Sequence, residues 1–404
     1  ETIVRAKALE AEGIDGIHVS GGDHHTMIHQ VSPMAIEVCH NAWAAREIKK
    51  HVSVPIIASG SITLPQYAEE ILSTGGGDFV GLGRPLWADP EWPTKAAADH
   101  PEDIRPCIRC NEGCLERTFF NYKAVTCAVN PVISREGELK IKPADKRRKI
   151  AVVGGGPAGM EAARVAKLRG HDVTLFEEKD RLGGLLIEAA APEFKSDLLP
   201  LIEYQITQLK KLGIPVEHKR AGMEDLKPYD AVVCATGSTP IIPGIAGVDK
   251  PIAVDSLTAI NNMDAIGKKV VVVGGGLVGS ETALDLAERG HQVTLVELLP
   301  QIMHGVAVTD FLAYSERIAK TDMCILTDTR LTEILDHGIR VETKDGSEEI
   351  QADTVILALG LKAEHGLYDE LIASGKEAYL VGDAISAGKI FDAFHTSYRL
   401  ALKI

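Results

Sequence analysis

One stretch of the sequence occurs twice. Residues 152–177 read VVGGGPAGMEAARVAKLRGHDVTLFE, and residues 272–297 read VVGGGLVGSETALDLAERGHQVTLVE. The offset is 120 residues, without a gap, and 15 of the 26 positions are identical. Each copy has a short apolar run, a glycine-rich turn, an amphipathic stretch ending in Arg-Gly-His, and a second apolar run ending in Glu. That order predicts a βαβ unit, so the chain is α/β and holds two mononucleotide-type folds. With 404 residues there is length for two or three domains with cores of their own.

The glycines sit where a dinucleotide site needs them. Gly154, Gly156 and Gly159 follow the first strand and open its helix; Gly274, Gly276 and Gly279 do the same in the second copy. The first glycine of each set allows the tight turn, the second lets a pyrophosphate reach the backbone, and the third lets helix and strand pack closely. The free N–H groups at the helix start and the helix dipole favour the phosphate charge. Glu177 and Glu297 close the following strands, where an acid accepts from ribose hydroxyls. Leu298 and Leu299 follow Glu297, with no Arg or Lys to meet a 2′-phosphate. The second copy is therefore expected to take NADH rather than NADPH.

The first copy resembles the FAD-binding half of the disulfide-reductase-type flavoproteins. ATG at 235–237, ending in Gly237, LGG at 182–184 and the late YLVGDA with Gly382 and Asp383 carry that resemblance. It implies that Asp383 holds the ribityl or phosphate region of FAD, and that the second copy is an inserted NAD domain. Such flavoproteins often carry a redox CxxC just after the first βαβ unit, but residues 178–200 contain no cysteine. Electrons then need an acceptor other than a dithiol there.

Four of the seven cysteines fall in one 21-residue run with the spacing Cys107-x2-Cys110-x3-Cys114-x12-Cys127. Three ligands from one loop and a fourth from farther along suit a cubane [4Fe–4S] cluster. Structural zinc sites usually pair two short knuckles; zinc is the alternative, and four uncoordinated thiols the bland reading. Cys39, Cys234 and Cys324 stand alone in helix or strand patterns, where core filling is the default.

Ahead of the cysteines, residues 1–105 alternate helix and strand: helices near 2–12, 34–50 and 65–73, and strands at 16–20, 55–60 and 78–83. The strands ending ASGS and GLGR look like the last two of a phosphate-binding TIM barrel, with Ser59, Gly60, Gly83 and Arg84 placed for a cofactor phosphate. The order of these blocks is specific. Together with GRPLWADPEWP, CIRCNEGC, TCAVNP and YRLALKI, it resembles the iron–sulfur flavoenzyme branch of the Old Yellow Enzyme family. That branch includes 2,4-dienoyl-CoA reductase, 2-enoate reductase and trimethylamine dehydrogenase. The resemblance covers essentially the whole chain. It implies electron flow from NADH to FAD to [4Fe–4S] to FMN and reduction of an activated C=C bond in a small unsaturated substrate. The alternatives are an electron-transfer flavoprotein subunit or an amine-type dehydrogenase.

The implied domains are residues 1–105, the C-terminal part of an FMN-binding barrel; 106–146, the cluster segment; 147–250 with 352–404, the FAD domain; and 251–351, the NAD(H) domain. A barrel needs eight strands and spans roughly 250 residues, and three strands are present, so the chain is expected to be the C-terminal part of a longer one. GGDHH at 21–25 ends a barrel strand, and the dienoyl-CoA reductase pattern implies that His24, or His25 one residue on, polarises the substrate carbonyl or assists protonation. A surface loop histidine is the plain alternative. The net charge of −14 argues against nucleic acid. The absence of a long apolar run argues against a membrane span, and the expected setting is cytoplasmic, with a homo-oligomer possible.

Exchange of Glu297 for Arg is expected to replace a ribose-diol acceptor with a phosphate partner. The ratio of kcat/KM for NADH over NADPH should fall by roughly tenfold or more. An unchanged ratio would show that this carboxylate does not face the ribose.

Overall fold

The computed structural model describes residues 1–404, which divide into two compact units. The first takes in Glu1–Lys142, Asp197–Gly213 and Ala307–Ala313; the second takes in Pro143–Ser196, Ile214–Val306 and Tyr314–Ile404.

In the first unit the strands Ile17–Val19, Ile56–Ser59 and Phe79–Gly81 form a parallel sheet in chain order. Ile17 pairs with Ile56, and Ile57 with Phe79. Helices Thr2–Ala11, Ala42–Lys49 and Pro65–Ser73 pack on the sheet. Val19, Ile56 and Ala58 from the strands meet Ala6, Ala45, Ile48, Ala68 and Ile71 from the helices. Trp92 closes this core, and its indole N–H donates to the Thr63 carbonyl at 3.1 Å. These are the βα repeats read from the sequence.

Two local expectations change. The helix expected over 34–50 is confined to Ala42–Lys49. The reason is a distant side chain. Arg109 donates to the carbonyls of Pro33 (3.0 Å), Ile36 (2.6 Å) and Met34 (3.3 Å), groups a helix would bond to its own amides. The cysteine segment, read as irregular, contains a wide helical stretch, Glu112–Phe120. There the amide of Glu116 bonds the carbonyl of Asn111 and that of Asn121 bonds Glu116, both five residues back. Such wide turns arise where an extra residue enters a helix, often at functional sites.

The second unit holds two five-stranded parallel sheets. In the first, Lys149–Val153 lies between Asp172–Glu177 and Ala231–Cys234, flanked by Val216–His218 and Ala378–Leu380. In the second, Lys269–Val273 lies between Gln292–Val296 and Thr354–Leu357, flanked by Cys324–Leu326 and Ala253–Asp255. Past the exposed Lys149 and Lys269 at their starts, the central strands are buried, as parallel strands covered on both faces should be. An antiparallel meander, Arg330–Leu335, Gly338–Thr343 and Gly346–Gln351, contributes Leu331, Ile334, Ile339 and Val341 to the core of the second sheet. The closing helix, Ile390–Ala401, buries Phe394 and Tyr398. Cys234 fills the first sheet, as expected. Cys324, also read as a core filler, is exposed, because its strand is the edge of the second sheet. No helix is long and apolar enough to cross a membrane.

The Arg109 clamp sets a stability test. The residue is 3 % exposed and ion-paired with Asp197. Arg109→Ala leaves that carboxylate and the carbonyls of Met34 and Ile36 without the guanidinium, while the Pro33 carbonyl keeps the Ile36 amide, a loss of about 3 kcal/mol for a buried pair. The expected result is a lower urea midpoint for the transition that reports the first unit, followed through Trp92 fluorescence. An unchanged midpoint would contradict the clamp.

Candidate functional site

The two glycine-rich loops share one geometry. In the first, Gly154 has φ +112°, and a Cβ there would stand 2.1 Å from the Ala235 carbonyl oxygen. A Cβ on Gly159 would lie 1.8 Å from the carbonyl oxygen of Gly154. In the second, Gly274 has φ +104° with the Ala358 carbonyl 2.3 Å away, and Gly279 repeats the 1.8 Å approach to Gly274. The outer glycines are thus demanded by the protein's own atoms. The middle ones are not. Gly156 and Gly276 have extended backbones at the start of their helices. A Cβ on Gly276 would meet nothing within 4 Å, and one on Gly156 only Gly184 at 3.7 Å. A glycine that no protein atom requires, at a helix N-terminus, leaves space for a ligand to approach the backbone. Both cradles therefore fit a dinucleotide pyrophosphate.

The acidic residues stand over these loops. Glu177 accepts from the amide of Gly155 at 2.6 Å and from that of Lys179 at 2.9 Å. Glu297 accepts from Gly275 and, at 2.7 Å, from Leu299. Each carboxylate is thereby held at the loop by two backbone donors, with lone pairs left for a diol. The Gly382–Asp383 turn packs beside the first loop. A Cβ on its neighbour Gly382, which has φ +60°, would lie 2.6 Å from Ala158. The Asp383 carboxylate accepts from the Ser238 hydroxyl at 3.0 Å and the Gly388 amide at 3.1 Å. Burial pushes its pKa up, and these two donors work against the shift. Gly237, with φ +77°, makes the turn that leads to Ser238.

Sequence reading missed a charged cluster at the second loop. Glu281 lies two residues after Gly279 and is buried. It accepts from Lys195 at 2.7 Å and from the Tyr314 hydroxyl at 2.8 Å. The matching Glu161 of the first copy pairs instead with Arg164. The acid was visible in both repeats, but its partners come from elsewhere in the chain.

In the first unit, all four cysteines of the run line one cavity, with Arg84, Trp87, Arg109 and Asn111 around them. None is in a disulfide. Burial raises every one of these thiols, Cys114 to about 11 and Cys127 to about 12. The neighbouring cysteines add to the rise at Cys110, Cys114 and Cys127. Backbone amides oppose it: Arg109 at Cys107, Glu112 at Cys110, Leu115 at Cys114, and Val129 with Asn130 at Cys127. Four sulfurs that repel as thiolates, yet each faced by amide donors, form a donor set suited to a positively charged metal centre. A single zinc would bring the sulfurs to roughly 3.8 Å of one another, from Zn–S bonds of about 2.3 Å. The ligand-type side chains that do converge within 4.8 Å are His100, Glu102 and Asp103 instead. Those three are surface groups engaged with each other and with Lys211.

The loops at the C-terminal ends of the three parallel strands hold the remaining predicted residues. Gly60 has φ +112°, and a Cβ there would meet the Asn41 side chain at 2.8 Å. Asn41 also fills the space beside Gly21, so one amide, unnoticed in the sequence, braces two strand-end loops. The Ser59 hydroxyl donates to the Val19 carbonyl at 2.7 Å, within the sheet. Gly83 opens the short helix Arg84–Ala88. The Arg84 side chain has three protein partners. Its guanidinium donates to the Ser32 carbonyl, the Ser61 hydroxyl and the Asn111 side chain. His24 and His25 are exposed, on a turn organised by Asp23, which accepts from the amides of His25 and Thr26.

Residues 132–199 and 148–385 match the pyridine nucleotide-disulphide oxidoreductase model, and residues 1–103 match the NADH:flavin oxidoreductase / NADH oxidase model. A metal reductase of Desulforamulus reducens is 37 % identical, covering 100 % of this chain and 65 % of that protein. A cinnamate reductase of Clostridium sporogenes is 36 % identical, covering 100 % of this chain and 61 % of that protein. The solved 2-naphthoyl-CoA reductase complex superposes with a TM-score of 0.94 at 32 % identity, over 100 % of this chain and 62 % of that one. The chain thus spans less than two thirds of the length of these relatives. The two family models agree with the barrel-plus-dinucleotide architecture and the flavin and nicotinamide cofactors read from the sequence.

The contrast between glycines can be tested directly. Gly276→Ala has room for its methyl and should melt within about 1 °C of the parent, yet weaken NADH binding by roughly tenfold or more where the pyrophosphate approaches. Gly279→Ala drives a methyl into a backbone oxygen and should lower the melting temperature by several degrees. Equal behaviour of the two variants would refute the assignment of the open side to a ligand.

Proposed function

The chain belongs to the pyridine nucleotide-disulphide oxidoreductase family, and from that premise we propose that it works as part of an NADH-dependent iron–sulfur flavoenzyme that reduces an activated C=C bond. The observation that carries this reading is the enclosed set of four free thiols, Cys107, Cys110, Cys114 and Cys127, in a chain whose dinucleotide unit offers no dithiol. The second unit has two cysteines, Cys234 inside one sheet and Cys324 on the edge of the other. A reduced FAD in this chain therefore passes its electrons to something other than a cysteine pair, and the four sulfurs are the redox-competent donor set available.

When bound, NADH supplies a hydride, FAD splits the pair, a [4Fe–4S] cluster carries single electrons, and FMN delivers reducing equivalents to the substrate. The chain's own residues divide the holding of these groups. Gly154, Gly156 and Gly159 admit one pyrophosphate, and Glu177 takes the adjacent ribose. Asp383 and Gly237 close the same site, and the Ser238 hydroxyl donates to Asp383. Gly274, Gly276, Gly279 and Glu297 repeat the arrangement for NADH. The backbone amides near Ser59, Gly60, Gly83 and Arg84 would offer donors for the FMN phosphate. His24 or His25, on the loop after the first barrel strand, would polarise a carbonyl or supply a proton. The named reductases among the relatives support a small unsaturated acid, thioester or enone as the acceptor.

Cys110→Ala in the full-length protein should remove the cluster's visible absorption and iron while FAD stays bound. NADH should still bleach FAD within the mixing time, but enoate turnover should fall by about a hundredfold or more, as for loss of a metal ligand. Survival of turnover, or zinc instead of iron in anaerobically purified protein, would sink the reading. FAD without FMN in full-length protein would favour an electron-transfer subunit.

A further inference from the structure

Arg84 makes contacts that its expected role does not use. The side chain leaves the start of Arg84–Ala88, at the end of the last parallel strand, and turns toward the cysteine cavity that it helps to line. One guanidinium nitrogen donates to the Ser32 carbonyl at 2.8 Å and to the Asn111 side-chain oxygen; the other donates to the Ser61 hydroxyl at 2.9 Å. Ser61 follows Gly60 in the phosphate-type loop and has a left-handed backbone, φ +55°. Asn111 follows Cys110 and is also left-handed, φ +53°. Its amide donates onward to the Val31 carbonyl at 2.8 Å and the Thr309 hydroxyl at 3.0 Å. Arg84 therefore spans two strained turns, one on the flavin side and one beside a sulfur ligand. A planar fork with fixed donors suits that task.

We propose that Arg84 is a positioning and redox-tuning residue, whose guanidinium ties the Gly60–Ser61 loop to Asn111 and whose charge raises the reduction potential of the cluster held by the four cysteines. The proposal rests on the [4Fe–4S] reading above. Adding one electron makes a thiolate-bound cluster more negative, so a fixed cation at its wall favours the reduced state. The same charge favours the thiolates of Cys107 and Cys114. Arg109 also lines the cavity, but its charge is matched by Asp197. The partners given above for Arg84 are all neutral, so its field is the less compensated of the two.

The test is an anaerobic, EPR-monitored redox titration of the full-length holoprotein, with iron and FMN assayed. Arg84→Met should lower the equilibrium constant for reducing the cluster about tenfold, a downward shift of roughly 59 mV for one electron. Arg84→Lys keeps the charge and loses the fork, so its potential should stay near the parent value while the EPR line shape changes. An iron-replete Arg84→Met protein with an unmoved potential overturns the proposal. So does loss of FMN alone, which would return the guanidinium to the flavin phosphate. Should Arg84→Met fail to retain iron, Arg84→Lys decides: rescue of iron and potential supports the proposal, and loss in both variants reduces Arg84 to a folding contact. Protein without any iron would refute the cluster itself, an outcome distinct from a cluster whose potential ignores Arg84.

Discussion

Burying four free thiols around one cavity is the constraint around which the first unit is organised. Sulfurs in an apolar pocket resist ionisation, and as thiolates they repel one another. The chain meets this with amide donors aimed at the sulfurs and with two guanidiniums at the cavity wall. Arg109 and Arg84 then act as structural members. Arg109 holds the 33–36 segment out of helix and pairs with Asp197, while Arg84 joins the strand-end loops. Arg109 lies between two of the cysteines and has a left-handed backbone, φ +51°. The sulfur cavity and the strand-end loops are thereby parts of one hydrogen-bonded body.

The second unit solves a different problem twice. In each copy a helix must approach a strand closely enough that only glycine fits, while the middle glycine faces open space. Yet the copies have diverged behind that shared front. Glu161 pairs with Arg164 on its own helix, whereas Glu281 reaches Lys195 and Tyr314 from other segments. A buried carboxylate needs a partner wherever it sits. Duplicating the acid without duplicating the partner forces each copy to find its own. The result is one loop whose charge is balanced locally and another whose charge is balanced through tertiary contacts.

The βαβ units were legible because their signals are local: an apolar run, glycines at fixed offsets, and an acid at the end of the next strand. The same holds for the three strands ahead of the cysteines, each found within a residue or two of its expected place. The cysteine spacing named the donor set for the same reason. The expected helix over 34–50 is shorter because Arg109, more than 70 residues away in sequence, takes its carbonyls. The wide helix around Cys114 sits where Gly113 packs against the chain at Thr126–Ala128, a Cβ there meeting backbone at 2.9 Å, and that contact between separate stretches has no local signal in the sequence.

What the sequence by itself determined, then, is the set of modules and their chemistry: two dinucleotide cradles, a four-thiol donor set and a run of barrel strands. Each depends on residues close together in the chain, where periodicity and spacing act directly. The tertiary structure alone decided which polar groups face one another. It gave Arg84 the partners Ser32, Ser61 and Asn111, and placed Asn41 against two strand-end glycines. It also sent Lys195 to Glu281 and left Cys324 in solvent. Long flexible side chains such as Arg and Lys can reach many partners, and only the packed chain, with every buried donor and acceptor to be satisfied, selects among them.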